Sequence, residues 1–416
     1  MRVLFVALAV PFPPNNGHRM RNWELLRALA QEGHSITLVS FAEPHDFRQN
    51  LGALRAICES VELVPLPFQR TQRWRDLVGR LRAVASRFPY GTVRYHSREM
   101  EAVVHNLLDR MPFDIVLCDD VYQFRNLPES VRPCLLLNKH DLTSVILRRL
   151  LTRMRNPFKL AYGWLEYVKL RQWEALVTSR VAGALVCSET DRRVLQSMVP
   201  GIRMTITPNA IDVDSYIPTR YDEYKTVLYF GAMDYHANQD AVEFFVLRIL
   251  PEVRRLVPDV KFVVAGRNPP DRLRRRFAGI AGIQFTGSVP DMRVEIAKAG
   301  VCVVPLRIGS GTRLKILEAA AMAKPIVSTR VGAEGLDFVD GEEIILADRP
   351  EAFARAVADL LRDVSRRREL GEAARRRVEL QYGLPALHAA LRMALEKVAD
   401  HPREPHPNFL AHGVRS

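Results

Sequence analysis

Residues Gly309-Ser-Gly-Thr-Arg-Leu-Lys-Ile-Leu-Glu-Ala319 follow an apolar run at 301–306 and lead into an alanine-rich stretch that stops at Pro325. This order predicts a buried strand, a glycine turn and a helix. Glycine lets the backbone approach a ligand closely, and the first turn of a helix carries N–H groups without a partner inside the helix. The turn is therefore predicted to bind an anion. A surface helix with a flexible lead-in is the alternative.

Two cations and a carboxylate follow the glycine turn. Arg313 and Lys315 are predicted in the first turn of the helix, where each cation opposes the helix dipole by about 0.3–1 kcal/mol unless an anion is bound. At about 100° per residue, Gly311, Lys315 and Glu318 share one stripe of the helix. The stripe offers bare backbone, then a cation, then a carboxylate. This order suits a diphosphate followed by a hydroxyl-rich sugar such as ribose.

Apolar runs that predict strands alternate with helical patterns along the chain. The predicted strands are 3–10, 35–41, 61–66, 114–118, 133–137, 183–187 and 204–206, then 226–230, 261–265, 283–286, 301–306 and 326–328. This alternation predicts an α/β fold with two doubly wound parallel sheets, each covered by helices on both faces. Ligands of such sheets bind beyond the carboxyl ends of the strands. Gly231, Gly266 and Gly287 follow predicted strands, as Gly309 and Gly311 do, so the glycines support this architecture.

The length of 416 residues favours two domains. We expect an N-terminal domain at 1–215, completed by a C-terminal helix at 384–400. A second domain is expected at 216–383, after a polar linker, and 401–416 is predicted to be a loose tail. Longer helices are predicted at 18–31, 148–177, 241–257, 350–364 and 366–381.

Composition bounds the compartment and the partners. The net charge of +13 favours anionic partners such as phosphorylated substrates, a membrane surface or nucleic acid. The five cysteines are scattered without a zinc-binding pattern, which fits a reducing compartment. The first apolar run suits a buried strand better than a signal peptide, and no run approaches the roughly 18 apolar residues of a membrane span. We therefore expect a cytoplasmic protein.

Two segments, 70–98 and 148–177, combine many arginines with aromatic residues. A basic, aromatic amphipathic helix can lie on an anionic membrane surface, here the inner face. It can equally pack its aromatic side against the sheet. Both interpretations stay open, and specific nucleic-acid binding, which rests on charge alone, is the weakest.

The chain resembles the group 1 (family 4) retaining glycosyltransferases of the GT-B fold. The resemblance covers most of the chain and is densest between 187 and 336. Besides the turn at 309–319, its motifs are Cys187-Ser-Glu189, Pro208-Asn-Ala-Ile-Asp212, Gly231-Ala-Met-Asp-Tyr235, Gly287-Ser-Val-Pro-Asp291 and Gly332-Ala-Glu-Gly-Leu336. It implies two Rossmann-like domains facing a central cleft, and transfer of a sugar from a UDP- or GDP-linked donor to a glycan or lipid-linked acceptor. No cofactor and no obligatory metal are implied. The subgroup resembles sugar transferases of bacterial exopolysaccharide and exosortase-associated gene clusters.

The resemblance also implies roles for single residues. Glu318 would hold the ribose, the turn at Gly311 and Thr312 would meet the diphosphate, and the loop at Gly17 would close over the phosphates. His140 would contact the donor sugar near the reacting carbon, and together with Arg313 and Lys315 it is predicted to be catalytic. Arg19, beside Gly17, is either a phosphate contact or a solvated residue. The other predicted donor-binding residues are Asn209, Gly231, Asp234, Gly266, Gly287 and Ser310.

The sequence departs from the family pattern in two places. Ser310 stands where the first of two paired glutamates is common, which leaves the donor sugar open. Asp234 and its neighbours replace the usual arginine and lysine, so Arg313 and Lys315 would have to stabilise the leaving phosphate. Two alternatives therefore stay open, a nucleotide-sugar epimerase and a non-catalytic nucleotide-sugar-binding protein. Asp119 and Asp120 would either line the cleft or cap a strand, and Asp212 and Asp214 are interpreted as linker residues without a metal.

Overall fold

A computed structural model of the chain describes residues 1–48, 51–68, 73–128, 131, 134–218, 225–309 and 311–399. It divides into two compact units. The first unit comprises Met1–Pro208 and the chain from Leu387 onward, and the second comprises Asn209–Ala386. The predicted tail at 401–416 and the predicted site residue Ser310 lie outside the described residues.

The first unit contains a seven-stranded, fully parallel sheet with the order β3-β2-β1-β4-β5-β6-β7. Its strands are β1 Arg2–Ala7, β2 Ser35–Ala42, β3 Ser60–Pro65, β4 Ile115–Asp119, β5 Cys134–Asn138, β6 Gly183–Val186 and β7 Met204–Ile206. All five residues of β4 are buried, as expected for a strand covered on both faces. The chain adds strands to one side of β1 and then crosses to the other side at β4. The switch point of this sheet, where ligands of such folds bind, therefore lies between β1 and β4.

Helices connect these strands. They are α1 Gly17–Gln31, α2 Gly52–Arg55, α3 Arg73–Ala85, α4 Tyr90–Arg94, α5 Arg98–Arg110, α6 Asp120–Gln123, α7 Thr143–Leu151, α8 Pro157–Arg180 and α9 Glu189–Met198, with 3₁₀ turns at Asp46–Arg48 and Phe124–Asn126. The prediction of one helix over 148–177 is wrong, because α7 ends at Leu151 and α8 begins at Pro157. Proline suits the first position of a helix but cannot continue one, and the Asn156 side chain caps α8 by accepting from the backbone N–H of Lys159 at 3.0 Å.

The second unit contains a six-stranded parallel sheet with the order β10-β9-β8-β11-β12-β13. Its strands are β8 Thr226–Phe230, β9 Lys261–Ala265, β10 Ile283–Gly287, β11 Val301–Val304, β12 Ile326–Ser328 and β13 Ile345–Leu346. Strand β11 is fully buried, and it pairs with β8. The switch point of this sheet therefore lies between β8 and β11. The glycine turn follows β11, at that point.

The helices of the second part of the chain are α10 His236–Phe244, α11 Leu250–Leu256, α12 Asp271–Phe277, α13 Met292–Ala297, α14 Leu314–Ala321, α15 Pro350–Arg362, α16 Val364–Gln381 and α17 Leu384–Ala399, with a 3₁₀ turn at Val213–Ser215. A π-helical segment, Phe245–Ile249, joins α10 to α11, where the sequence predicted one helix. The prediction for the start of α14 also needs correction. Arg313 occupies the N-cap position without a capping side-chain hydrogen bond, and Gly311 precedes it, so among the three predicted stripe residues only Lys315 and Glu318 are helical.

Candidate functional site

Glycines at the ends of β8 and β9 let two stretches of backbone meet directly. Gly231 and Gly266 have φ values of 148° and 145°, which disfavour a side chain. A Cβ atom at Gly266 would lie 1.8 Å from the carbonyl oxygen of Gly231. The backbone N–H of Gly266 in turn donates to the carbonyl of Gly287, at 3.0 Å. The three predicted glycines therefore form one continuous backbone surface at the carboxyl edge of the sheet.

The turn after β11 folds around Arg313. Gly309 and Gly311 have φ values of 149° and 73°, and a Cβ atom at Gly309 would lie 2.2 Å from Nη2 of Arg313. Nη1 of Arg313 donates to the carbonyl of Gly311 at 3.0 Å. On the other side of the turn, Nδ2 of Asn209 donates to Oγ1 of Thr312 at 2.6 Å. The structure thus brings Gly309, Gly311, Thr312 and Arg313 close together and places Asn209, from a distant part of the chain, against them.

Lys315 lies beside the end of β8. Its ammonium group donates to the hydroxyl of Tyr229 at 3.1 Å and to Oδ1 of Asn238 at 3.0 Å, and it lies 4.3 Å from the centre of the Tyr229 ring. Burial, and then the charge of Arg313, lower the pKa of Lys315 from 10.5 to about 7. An anion placed here would favour the charged ammonium and raise that pKa again.

Glu318 lies one turn further along α14. The Tyr216 hydroxyl donates to its Oε1 at 3.3 Å, and burial raises the pKa of Glu318 from 4.5 to about 7. Lys315 and Glu318, the two predicted site residues on this helix, therefore both have a pKa near neutral pH. Titrating groups in a strand-end site are a mark of functional sites rather than of ordinary surfaces.

Asp234 is placed differently from the other predicted residues of the second unit. It is exposed in the turn before α10, and its carboxylate accepts from Nδ2 of Asn268 at 3.5 Å. Its predicted contact with the donor stays a prediction.

The predicted phosphate loop of the first unit starts α1. Gly17 is the first helical residue, and the Asn16 side chain caps the helix by accepting from the backbone N–H of Arg19 at 3.0 Å. The guanidinium of Arg19 is buried against Asp46, with Nη2 at 3.0 and 3.2 Å from the two carboxylate oxygens. The other terminal nitrogen, Nη1, is buried and has no hydrogen-bond partner among the described residues, and the predicted phosphate contact of Arg19 stays a prediction.

His140 lies two residues after the end of β5, in a cluster that the sequence did not reveal. Its Nε2 hydrogen-bonds to Oδ1 of Asp119, the last residue of β4. Nε2 of His18, in the first turn of α1, lies 3.0 Å from the other oxygen, Oδ2. The two imidazole rings are 4.2 Å apart at their centres. The signal for His18 was its position next to Gly17, but its meeting with Asp119 depends on strand order.

The charges of this cluster are unequal. Burial, with the nearby charge of His18, lowers the pKa of His140 to about 4 although Asp119 opposes this shift. For His18, burial also acts to lower the pKa, but the Asp119 charge prevails and the pKa is raised above 6.5. Burial disfavours ionised Asp119, but the two histidines hold its pKa well below 3.8. At neutral pH the cluster therefore contains a carboxylate, a neutral His140 and a His18 that is charged more readily than usual.

The same three side chains form a group whose ligand atoms all lie within 4.8 Å of one another, so their spacing alone would suit a metal ion. The surroundings of Asp119 favour N–H donors instead. Besides the imidazoles, its oxygens accept from the backbone N–H of Leu8 at 3.0 Å and from the side-chain amides of Asn22 at 2.8 Å and Asn138 at 3.3 Å.

Family models match both parts of the chain. The model described as "Glycosyltransferase Family 4" matches residues 15–215, and the model described as "Glycosyl transferases group 1" matches residues 224–363. The chain belongs to the group 1 glycosyltransferases. The predicted family, the enzyme class and the GT-B fold class are thereby confirmed, since both units have the parallel, Rossmann-like sheets of that fold.

Three known proteins are similar to this glycosyltransferase. An uncharacterized 44.6 kDa protein in the cps region of Klebsiella pneumoniae is 22% identical over 89% of this chain and 93% of its own length. The GDP-mannose-dependent alpha-(1-6)-phosphatidylinositol monomannoside mannosyltransferase of Mycolicibacterium smegmatis is 26% identical over 49% of this chain, an alignment that spans 61% of that enzyme. The structure of Anabaena HepE in complex with UDP-glucose aligns with a TM-score of 0.64 at 12% identity, covering 95% of this chain and 100% of that one.

Proposed function

We propose that this glycosyltransferase transfers a sugar from a nucleotide diphosphate donor to a glycan or lipid-linked acceptor, with retention of anomeric configuration, in polysaccharide biosynthesis. The observation that carries the proposal is that Lys315 and Glu318 lie together on α14, beside the glycine turn at the switch point of the second unit. The UDP-glucose bound by HepE supports a UDP-linked donor, and the mycobacterial relative supports a GDP-linked one. The cps-region relative supports the polysaccharide role.

The chemistry assigns a role to each group. The backbone at Gly311 and Thr312 would bind the diphosphate, and Glu318 would accept hydrogen bonds from the ribose hydroxyls. Arg313 and Lys315 would stabilise the negative charge that gathers on the leaving phosphate as the sugar bond breaks. His140 would contact the donor sugar. Because two protein cations serve the leaving group, we propose that the reaction needs no obligatory metal and no cofactor.

A donor screen tests the proposal. We expect one class among UDP-, GDP- and ADP-sugars to raise the melting temperature of the protein by about 5–10 °C at a hundredfold excess over Kd. Lys315→Met should reduce the shift strongly, whereas Lys298→Met, which removes an exposed lysine paired with Glu295 at 2.8 Å, should leave it unchanged. His140→Ala should keep the shift and lose transfer.

The outcomes separate the alternatives. Transfer to an acceptor with the anomeric configuration kept, as read by NMR of the product, supports the proposal. An epimerised sugar formed without acceptor would identify an epimerase, and tight donor binding without turnover across an acceptor panel would identify a binding protein. No thermal shift with any nucleotide sugar would contradict the assignment of the glycine turn.

We propose further that the first unit associates with an anionic membrane surface, which would place the enzyme peripherally at the inner face. The helix α8 carries a stripe of exposed apolar residues, and Phe158 at its start is 85% exposed. The apolar members of the stripe on α8 are Phe158, Trp164, Leu165, Val168 and Leu176, and those on α3 are Leu77, Leu81 and Val84.

The two helices are connected and carry positive charge. Nζ of Lys169 on α8 donates to the carbonyls of Ala83 and Ser86 at the end of α3, at 2.6 and 2.7 Å. Among the side chains that the structure describes in segments 70–98 and 148–177, the exposed cations are Arg80, Arg82, Arg87, Arg98, Arg148, Arg153, Arg155, Lys159 and Arg171. Such a surface suits anionic lipid, where each cation contributes about 1 kcal/mol. No helix among the described residues is long and apolar enough to cross a membrane.

Vesicle sedimentation tests this association. The protein should sediment with vesicles that contain phosphatidylglycerol and remain in solution with phosphatidylcholine alone. Replacing Phe158 and Leu165 by serine should reduce sedimentation at least tenfold. Serine at Leu247 and Val294, which are exposed to 46% and 51% on the second unit, is the matched control. Equal loss in both pairs, or no loss in either, would contradict a lipid-binding role of α8.

A further inference from the structure

The buried carboxylate of Asp119 is surrounded by hydrogen-bond donors whose directions can be deduced one by one. Arg21 has donors only, so the atom of Asn138 that faces its Nε at 3.0 Å is the amide oxygen. Nδ2 of Asn138 therefore points the other way and donates to Oδ1 of Asn22 at 3.0 Å. Nδ2 of Asn22 is then the atom that faces Asp119. This chain from Arg21 leaves both amides oriented as donors to the carboxylate.

The remaining neighbours of Asp119 obey the same rule. The backbone N–H of Leu8 can only donate, and it lies 3.0 Å from Oδ2. With both amides and this N–H as donors, the carboxylate is held in its ionised form. An ionised carboxylate only accepts, so Nε2 of His140, which hydrogen-bonds to Oδ1 and also lies 3.3 Å from Nδ2 of Asn138, must carry the hydrogen of that bond. Nε2 of His18, 3.0 Å from Oδ2, forms an ion pair with the carboxylate when its ring is protonated.

We infer that Asp119 is the positioning residue of His140, and that its carboxylate fixes the imidazole as the Nε2–H tautomer with Nδ1 as the hydrogen-bond acceptor. In this form His140 receives a hydroxyl hydrogen through Nδ1 rather than offering an N–H. This last step rests on the proposed function, in which His140 meets a hydroxyl of the donor sugar. His18 is the second imidazole on the same carboxylate.

His18 has a separate effect on His140. The ring centres of His18 and His140 lie 4.2 Å apart, so a positive charge on both rings at once would be costly. A charged His18 therefore keeps His140 neutral and its Nδ1 unprotonated. The low pKa of His140 and the raised pKa of His18 agree with this division. The charged groups that face the two rings are Asp119 from β4, Arg21 from α1, and Asp120 and Asp141 at the ends of β4 and β5.

Histidine NMR reads the tautomer without any need for transfer activity. In protein labelled with ¹⁵N-histidine, His140 should show a protonated Nε2 and a bare Nδ1 between pH 5.5 and pH 9. His105, whose Nε2 lies 3.2 Å from the exposed carboxylate of Asp109 on α5, is the internal comparison for the spectrum of a histidine beside a solvent-exposed carboxylate. A His140 that carries its hydrogen on Nδ1 at pH 7 would overturn the inference in the unmodified protein, without recourse to any variant.

Asp119→Asn then tests the cause. An amide cannot hold both imidazoles as donors, so the Nε2–H tautomer of His140 should lose its dominance and the pKa of His18 should fall. The kcat of transfer should drop by about tenfold or more, with nucleotide affinity unchanged, because Asp119 is not among the residues to which donor binding is assigned. Asp109→Asn is the matched control and should change neither the His140 tautomer nor the kcat of transfer.

The results separate the inference from the proposed function. A His140 tautomer that persists in a folded Asp119→Asn protein would refute the positioning role. If the tautomer and its loss follow the expectation while the unmodified protein transfers no sugar, Asp119 keeps its role and the assignment of the reaction fails.

Discussion

Proton exchange on nucleotide binding offers a quantitative test of the Lys315 and Glu318 pair. Each group has a pKa of about 7 in the free protein, so each is about half protonated at pH 7. A diphosphate favours charged Lys315, and ribose hydroxyls favour ionised Glu318. Binding of UDP or GDP should therefore take up about half a proton at Lys315 and release about half a proton at Glu318. In the unmodified protein the two exchanges nearly cancel.

Single variants separate the two exchanges. Glu318→Gln leaves only the uptake, and since the Glu318 charge raises the pKa of Lys315, its loss makes the uptake at pH 7 about half a proton or more. Nucleotide affinity of this variant should fall about tenfold per pH unit above pH 7. Lys315→Met leaves only the release, so its weaker binding should improve as pH rises through 7.

Titration calorimetry in two buffers of different ionisation enthalpy measures the exchange directly. Lys298→Met should behave like the unmodified protein, because Lys298 is exposed and pairs with Glu295. The reasoning is refuted if Glu318→Gln binds nucleotide with no proton uptake and with an affinity that is flat between pH 6 and pH 9.

Three further predictions concern stability and metal removal. Gly266→Ala should destabilise the second unit by about 2–3 kcal/mol in chemical denaturation, because its Cβ would lie 1.8 Å from the Gly231 oxygen, whereas Gly279→Ala, with open space around it, should stay within about 0.5 kcal/mol. Without nucleotide, Glu318→Gln should stabilise this unit by roughly 1–3 kcal/mol at pH 8. Folding raises the pKa of Glu318 from 4.5 to about 7, so ionising this carboxyl costs stability as pH rises through that range. An unchanged denaturation midpoint would contradict this prediction. Transfer activity should persist in EDTA, and its recovery only after Mg²⁺ or Mn²⁺ is added back would contradict the metal-free proposal.

The fold class and the family were accessible from the sequence because they depend on patterns along the chain. Alternating apolar runs and strand-end glycines predict parallel sheets, and both sheets are present. Two helix starts could also have been predicted from the sequence. Asn156 is a capping residue followed by a proline at the first helical position of α8, and Pro270 immediately precedes α12. The two-residue strand β13 has too few residues for a pattern.

The candidate site was less accessible, because its side chains converge through strand order rather than through spacing. Lys315 and Glu318 lie on one helix, so their proximity could be predicted. His18 and His140 meet on Asp119 only because β4 lies between β1 and β5 in the sheet, and no local pattern encodes that order. The burial that brings the pKa of Lys315 to about 7 is likewise a property of the folded unit.

The hydrogen bonds of Asp119 also bear on how the first sheet is aligned. Val6 of β1 pairs with Cys118 of β4, and Asp119 of β4 pairs with Asn138 of β5. The hydrogen bonds of the Asp119 carboxylate therefore depend on the correct register of these three strands. Successive side chains of a strand point to opposite faces, and a slip of one residue would turn this buried charge away from its donors at a cost of several kcal/mol. Misaligned sheets are thereby penalised during folding. Asp119, which we propose positions His140, would thus also disfavour the wrong strand pairing.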